Sequence, residues 1–300
     1  MPPSKSSRRK RYFEVTRTFT YGFVFVLPLL VIYELGIMVV NQTWPVRNGA
    51  DAILRGLLYS YGNVSFYALS ALMIGGLAYQ FQRERKRYHL ELKWPFFVGM
   101  LLESFFYASL LGGVSTTLTR AVLPGLSGIA GASGATVSAT GMALQASSAT
   151  GVALQASSAT GVALQASSAT GMALQASSAT GMVAYQPGLG TQIVMSTGAG
   201  IYEEFVFRVL LVSGIFVFLR WLRPAWSSAL TYGIAAIGAA AVFSGFHYIG
   251  AYGDPLELSS FTFRFMAGLV LNGLYITRGF GIAVWSHALY DVLVALRQAA

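Results

Sequence analysis

Apolar runs long enough to cross a bilayer dominate this chain of 300 residues. A helix needs about 20 mostly apolar residues to span the hydrocarbon core, where it satisfies its own backbone hydrogen bonds. Only 10% of the residues are charged, against about 25% in soluble domains. The runs lie at 20–41, 63–81, 95–117, 191–218, 226–249, 259–276 and 279–296. The sequence therefore predicts an all-α polytopic membrane protein with roughly seven transmembrane helices.

The net charge of +9 reflects short basic clusters that lie beside the apolar runs. The clusters are Lys5, Arg8, Arg9, Lys10 and Arg11, followed by Arg83, Arg85, Lys86 and Arg87. Such clusters mark the cytoplasmic side of a membrane and contact anionic lipid. We therefore expect an integral membrane protein with a cytoplasmic N terminus, whose partner is the lipid bilayer and not nucleic acid. The chain has no cysteine, which excludes disulfides, thiolate metal sites and cysteine nucleophiles.

Changes in composition divide the chain into four parts. The predicted parts are a basic cytoplasmic tail at 1–19, a three-helix membrane segment at 20–118, a low-complexity loop at 119–190, and a last membrane domain at 191–297. The loop carries no charge from Ala121 onwards.

A ten-residue unit repeats four times inside this loop. The copies are GMALQASSAT at 141–150, GVALQASSAT at 151–160 and at 161–170, and GMALQASSAT at 171–180. Each copy offers only Leu plus Met or Val for burial, which is too little to offset the entropy of ordering. The favoured interpretation is a flexible exterior insertion, and the alternatives are a short β-stack or a weak Ala-rich helix. We assign no chemistry to the repeats.

Ionisable residues in the last third of the chain form three short motifs inside apolar runs. Charged groups in a membrane cost about 2.5–3.5 kcal/mol each on insertion scales, so they indicate function. The motifs are EEFVFR at 203–208, FSGFH at 243–247 and HALYD at 287–291. On a helix, Glu204 and Arg208 lie one turn apart and can form an ion pair, whereas Glu203 points about 100° away. His287 and Asp291 share one helix face.

These residue types suit hydrolysis by an activated water. A Glu and a His beside one water make it nucleophilic, and a second His can stabilise an oxyanion. The same side chains, Glu203, His247, His287 and Asp291, could instead hold a zinc ion. The motifs HExxH and GxxxxGK[ST] are absent, as is a GxSxG motif with triad partners, which excludes the common zinc proteases, P-loop enzymes and serine hydrolases.

In this order, the three motifs resemble the CPBP family of intramembrane proteases, which comprises CAAX proteases and bacteriocin-processing enzymes and is also called the Abi family. The family pattern is EExxxR, then FxxxH, then HxxxN or HxxxD. The resemblance covers about residues 190–297. It implies that 191–297 is an all-helical protease domain whose catalytic helices line a hydrophilic cavity, and that the substrate is a peptide or a membrane protein.

The resemblance also implies a role for each motif residue. Glu203 activates the water with the help of His247, while His287 and Asp291 stabilise the oxyanion. The supporting residues are Glu204, Arg208 and Phe243. Relatives of the Ras-converting CAAX endopeptidase look like glutamate-dependent enzymes without a metal, so we expect no cofactor. Zinc is the alternative, with Glu203, His247, His287 and Asp291 as its ligands.

Two further alternatives belong to other functional classes. The first is a non-catalytic membrane scaffold or immunity-type protein of the same family, in which the motifs serve the fold. The second is a transporter or proton relay that uses Glu34, Glu103 and Glu203. Many transporters have internal repeat symmetry between their halves, and none is visible in this sequence.

Asp291 occupies a position where the family also has Asn, and an ionised aspartate cannot donate a hydrogen bond. Asp291 is therefore protonated, orients His287, or ligates a metal. If it acts on the oxyanion, we expect Asp291→Asn to retain cleavage, because asparagine donates from its amide. A peptide-cleavage assay of the purified variant checks this, and complete loss of activity would exclude a purely oxyanion role.

Overall fold

The computed structural model describes residues 12–40, 50, 75, 78–79, 81–84, 92–132, 154–157, 163–167, 171–177, 188–249 and 254–299. Its membrane part is built from helices. Along the chain these are α1 (Phe19–Val40), α2 (Trp94–Ala132), α3 (Leu189–Gly198), a first π-helical segment (Ala199–Glu203), a second π-helical segment (Phe205–Val212), α4 (Ser213–Leu222), α5 (Ser228–Phe246), α6 (Leu258–Arg278) and α7 (Phe280–Ala299).

Five helical stretches in the described part are long and apolar enough to cross a membrane. They are Phe19–Val40, Trp94–Leu126, Leu189–Leu222, Ser228–Phe246 and Phe280–Ala299. The prediction of an all-α integral membrane protein is therefore confirmed for the membrane part. The total of roughly seven spans is not confirmed, because α6 falls outside this set and the predicted span at 63–81 lies mostly outside the described residues.

Local sequence signals set several helix boundaries. The hydroxyl of Ser227 accepts a hydrogen bond from the backbone N–H of Leu230 at 3.2 Å, which caps the start of α5. Gly279 ends α6 with a φ of 89°, a left-handed conformation that favours glycine. The helix predicted at 95–117 continues to Ala132 and contains Pro124 in its interior.

Helix α7 packs against α1, α2, α3, α6 and the first π-helical segment. Small residues allow this close approach, as they do at many membrane helix interfaces. A Cβ added at Gly281 of α7 would lie 2.7 Å from the Cα of Gly22 in α1. The indole N–H of Trp285 donates to the backbone carbonyl of Phe25 at 2.6 Å. Helix α1, which lies outside the three motifs, thus packs directly on the helix that carries HALYD.

A polar cluster connects α2 to the end of α6. Glu103 forms an ion pair with Arg278 and accepts hydrogen bonds from the hydroxyls of Tyr12 at 2.9 Å and Tyr107 at 3.2 Å. Burial, together with the neighbouring Glu103 carboxylate, raises the pKa of Tyr12, so its hydroxyl remains a donor. Glu103, which the proton-relay alternative invoked, is therefore engaged in contacts between helices.

Three short strands form within the decapeptide repeats. They are β1 (Leu154–Ser157), β2 (Ala163–Ser167) and β3 (Gly171–Ser177), in the spatial order β1-β3-β2. Strands β1 and β3 are parallel with identical residues in register, and β2 is antiparallel to β3. Parts of three copies therefore pair with one another, as in the short β-stack that was the alternative to a flexible loop.

The glycine contact between α1 and α7 yields a stability prediction. We expect Gly281→Ala to lower the free energy of unfolding by about 2 kcal/mol, because the new methyl group meets the backbone of Gly22 and the helices must separate. Unfolding in mixed detergent micelles measures this. The matched control is Gly273→Ala in α6, where a Cβ meets no atom within 4 Å. Equal stability of the two variants would contradict the prediction.

Candidate active site

The EEFVFR motif lies where two π-helical segments meet. Glu203 is the last residue of the first segment, Glu204 separates the two, and Arg208 lies within the second. All three side chains are fully buried. Short π-helical turns inside longer helices occur frequently at functional sites, because the wider turn re-aims the side chains that follow. The sequence predicted an ordinary helix here, and the spacing of the motif gave no signal of the wider turn.

Glu204 connects two of the three motifs. Its Oε2 lies 3.1 Å from Nε of Arg208, so the predicted ion pair is present. Its Oε1 accepts a hydrogen bond of 2.7 Å from Nδ1 of His287. The sequence did not anticipate this second contact, because 83 positions separate the two residues and no local pattern relates them. Glu204 therefore binds the π-helical region to α7.

Phe243 lies between the charged and the imidazole side chains. The guanidinium carbon of Arg208 lies 4.6 Å from the centroid of the Phe243 ring, a cation–π distance. The same ring meets His247 edge to face at 5.0 Å and His287 at 6.4 Å. The aromatic residue of the FSGFH motif thus contacts residues of all three motifs.

His247 follows the last residue of α5 and is held by the backbone. Its Nδ1 lies 2.7 Å from the carbonyl oxygen of Phe243, which can only accept, so Nδ1 carries the proton. In neutral imidazole, Nε2 is then a proton acceptor. Among the described residues no hydrogen-bond partner reaches this buried Nε2 atom. His247 therefore presents a fixed acceptor inside the protein.

His287 lies between two carboxyl groups. Nδ1 donates to Glu204, and Nε2 lies 3.6 Å from Oδ2 of Asp291 one turn along α7. Asp291 is fully buried, and neither of its oxygens has a hydrogen-bond partner within the described part of the chain. As the i,i+4 spacing predicted, both side chains of HALYD lie on one face of the helix.

The charges of the three motifs act on one another. Glu203 interacts electrostatically with Arg208, His287 and Asp291, and His247 interacts with Arg208 and His287. Because such interactions weaken with distance, the motif residues form one cluster. The structure therefore brings together the predicted residues, which are Glu203, Glu204, Arg208, Phe243, His247, His287 and Asp291.

The zinc alternative gains no support from this geometry. In the described ranges, no three His, Asp or Glu side chains are grouped so that they could hold a metal ion. The Nδ1 atom of His287 is bonded to Glu204, so only Nε2 of this ring could face a metal ion. Zinc therefore stays the alternative to a metal-free site.

A family model described as "Type II CAAX prenyl endopeptidase Rce1-like" matches residues 186–293. This region covers slightly more than a third of the chain and contains all three motifs. The match confirms the resemblance that the motifs indicate. The matched family is one of membrane proteases, so the C-terminal region is similar to proteases. No curated protein and no solved structure matched the chain.

The pairing of Arg208 with Glu204 yields a prediction. We expect Arg208→Met to lower the free energy of unfolding by about 3 kcal/mol, because it leaves the buried Glu204 carboxylate without its cation. The control is the double variant Glu204→Gln/Arg208→Met, which removes both charges and recovers most of the loss. Unfolding in mixed detergent micelles measures the stability of the single and the double variant. A double variant that is as unstable as the single one would contradict the pairing of Arg208 with Glu204.

Proposed function

We propose that this protein is an intramembrane endopeptidase that hydrolyses a peptide bond with a water activated by Glu203. The observation that carries the proposal is the convergence of EEFVFR, FSGFH and HALYD in one buried cluster. The match of residues 186–293 to an endopeptidase family supports it.

Glu203 and His247 act on the water in this mechanism. Glu203 takes a proton from the water, whose oxygen attacks the carbonyl carbon of the scissile bond. His247 accepts a hydrogen bond from the water through Nε2, a role that its Nδ1 contact with Phe243 supports. The proton held by Glu203 then passes to the departing amine, which leaves the carboxylate ready for another cycle.

His287 acts on the oxyanion of the tetrahedral intermediate. To donate through Nε2 while Nδ1 donates to Glu204, the ring must carry both protons. The carboxylate of Glu204 compensates the resulting positive charge, and Arg208 in turn compensates Glu204. Asp291 lies close enough to Nε2 to orient the ring and, when protonated, to donate to the same oxyanion. No metal takes part in these steps.

The substrate of this reaction is a peptide or a membrane protein that reaches the site from the bilayer. A prenylated C-terminal peptide fits only a host that prenylates proteins, and another host would supply a leader peptide or a membrane protein. In the proposed topology the N terminus is cytoplasmic, as the basic clusters near the first spans indicate.

A non-catalytic scaffold is the second candidate, and one observation favours it. Glu204, Arg208 and His287 contact one another across helices, so they could be retained because they hold the fold together. A substitution at Glu203 distinguishes the protease from the scaffold. A scaffold tolerates the loss of the Glu203 charge, whereas a glutamate-dependent protease does not.

We expect Glu203→Gln to lower the rate of cleavage at least about 100-fold, because glutamine cannot accept the proton of the water. The measurement compares new protein N termini in membranes that contain wild-type protein or the variant at equal amounts. The matched control is Glu257→Gln, which changes an exposed carboxylate at the start of α6. Fragments that appear with the wild type and the control but not with Glu203→Gln establish proteolysis.

The opposite result would favour the scaffold. If no fragment depends on Glu203 in any growth condition, the protein cuts nothing and the proposed function fails. Once a substrate is identified, adding a chelator to the purified protein tests whether cleavage needs a metal ion. We expect the rate of cleavage to stay the same. A loss of cleavage that added zinc restores would contradict the metal-free mechanism.

A further inference from the structure

Two neighbouring residues of α1 hold the π-helical segment that ends in Glu203. Helix α1 lies outside residues 186–293, so the family match does not account for these contacts. Glu34 is a carboxylate within an apolar span, a costly placement that indicates a specific role. One partner of Glu34 in the structure is Tyr202, the residue directly before Glu203.

The first contact lies at the start of the segment. The ring of Tyr33 packs directly on Gly198, since a Cβ added there would lie 2.2 Å from Cε2 of that ring. Tyr33 is fully buried, and its ring centroid lies 5.3 Å from that of Tyr202. Helix α1 thus reaches both the residue before the segment and a residue near its end.

The second contact is polar. The hydroxyl of Tyr202 donates to Oε1 of Glu34 at 2.8 Å, and the Tyr202 side chain is fully buried. Tyr202 and Glu203 are adjacent in the chain, so a rotation of the helical backbone that moves one side chain also moves the other. The hydrogen bond therefore restricts the direction in which Glu203 points.

The opposite side of the segment is held by α7. A Cβ added at Gly200 would lie 2.7 Å from Cβ of Ala288 and 2.8 Å from the carbonyl oxygen of Val284. A π-helical turn is rare and usually persists as a short insertion in an α-helix, so its surroundings must stabilise it. Here α7 supports one side of the segment, and Tyr33 and Glu34 support the other.

We propose that Glu34 is a positioning residue for the proposed peptidase, which holds the π-helical turn through Tyr202 and so directs Glu203 towards the water. This inference rests on the proposed function. In this role Glu34 acts on Glu203 through Tyr202. Towards Tyr202 the side chain needs an acceptor oxygen rather than a charge, because this contact is a hydrogen bond from a neutral hydroxyl.

The kinetic test uses the substrate found by the comparison of N termini. We expect Tyr202→Phe and Glu34→Ala each to lower kcat about tenfold with KM unchanged, because a small displacement of a catalytic group slows chemistry more than binding. Glu34→Gln keeps the acceptor oxygen and is expected to retain near wild-type kcat. The double variant Glu34→Ala/Tyr202→Phe is expected to match either single variant, because both changes remove the same bond.

A second measurement does not depend on activity. Hydrogen exchange of the backbone amides of residues 199–204 is expected to accelerate in Glu34→Ala and Tyr202→Phe, and to keep the wild-type rate in Glu34→Gln. The matched control is Leu35→Ala, which truncates the next side chain of α1, 58% exposed in the structure. This control is expected to change neither kcat nor exchange.

The outcomes separate this inference from the proposed function. If the wild type cleaves and Glu34→Ala cleaves equally fast, the positioning role is overturned and the peptidase stands. If Glu34→Gln is as slow as Glu34→Ala, the hydrogen bond is not what directs Glu203, and the inference is also overturned. If no cleavage depends on Glu203, both proposals fail.

Discussion

The arrangement of the site depends on the buried carboxylate of Glu204 and the contacts that it makes. It pairs with Arg208 within its own helical stretch and accepts a hydrogen bond from His287 of α7. Arg208 in turn lies over the ring of Phe243, which contacts His247. One side chain thus connects, directly or through one neighbour, elements that lie far apart in the chain. A buried charge requires such partners, because an unpaired carboxylate is costly in a low-dielectric interior.

Close packing around α7 makes these contacts available. Glycines at positions 22, 200 and 281 allow backbones to approach where a methyl group would collide with backbone or side-chain atoms. In a bilayer, lipid tails are as apolar as the side chains, so helices associate through such close contacts and through polar bonds between them. The central position of α7 and the hydrogen bond between Glu204 and His287 are therefore parts of one arrangement.

The N-terminal helices contribute polar contacts of the same kind. Glu103 of α2 pairs with Arg278 at the end of α6, and Glu34 of α1 accepts a hydrogen bond from Tyr202. As sequence features, these carboxylates were compatible with proton transport. The structure gives both of them partners on other helices, so each carboxylate has contacts that support the packing of the helices. Both helices end before residue 186, where the family match begins, yet their side chains reach the region that it covers.

The sequence by itself determined the membrane class, the positions of most helices and the identity of the candidate site residues. Apolar length, sparse charge and local spacing carry that information, and the pair of Glu204 with Arg208 follows from a separation of four residues. Only the tertiary structure decided that the EEFVFR motif lies on π-helical turns, that Glu204 binds His287, and that Tyr202 binds Glu34. Those contacts join residues 83 and 168 positions apart. They depend on how helices cross and rotate, which local propensity does not specify.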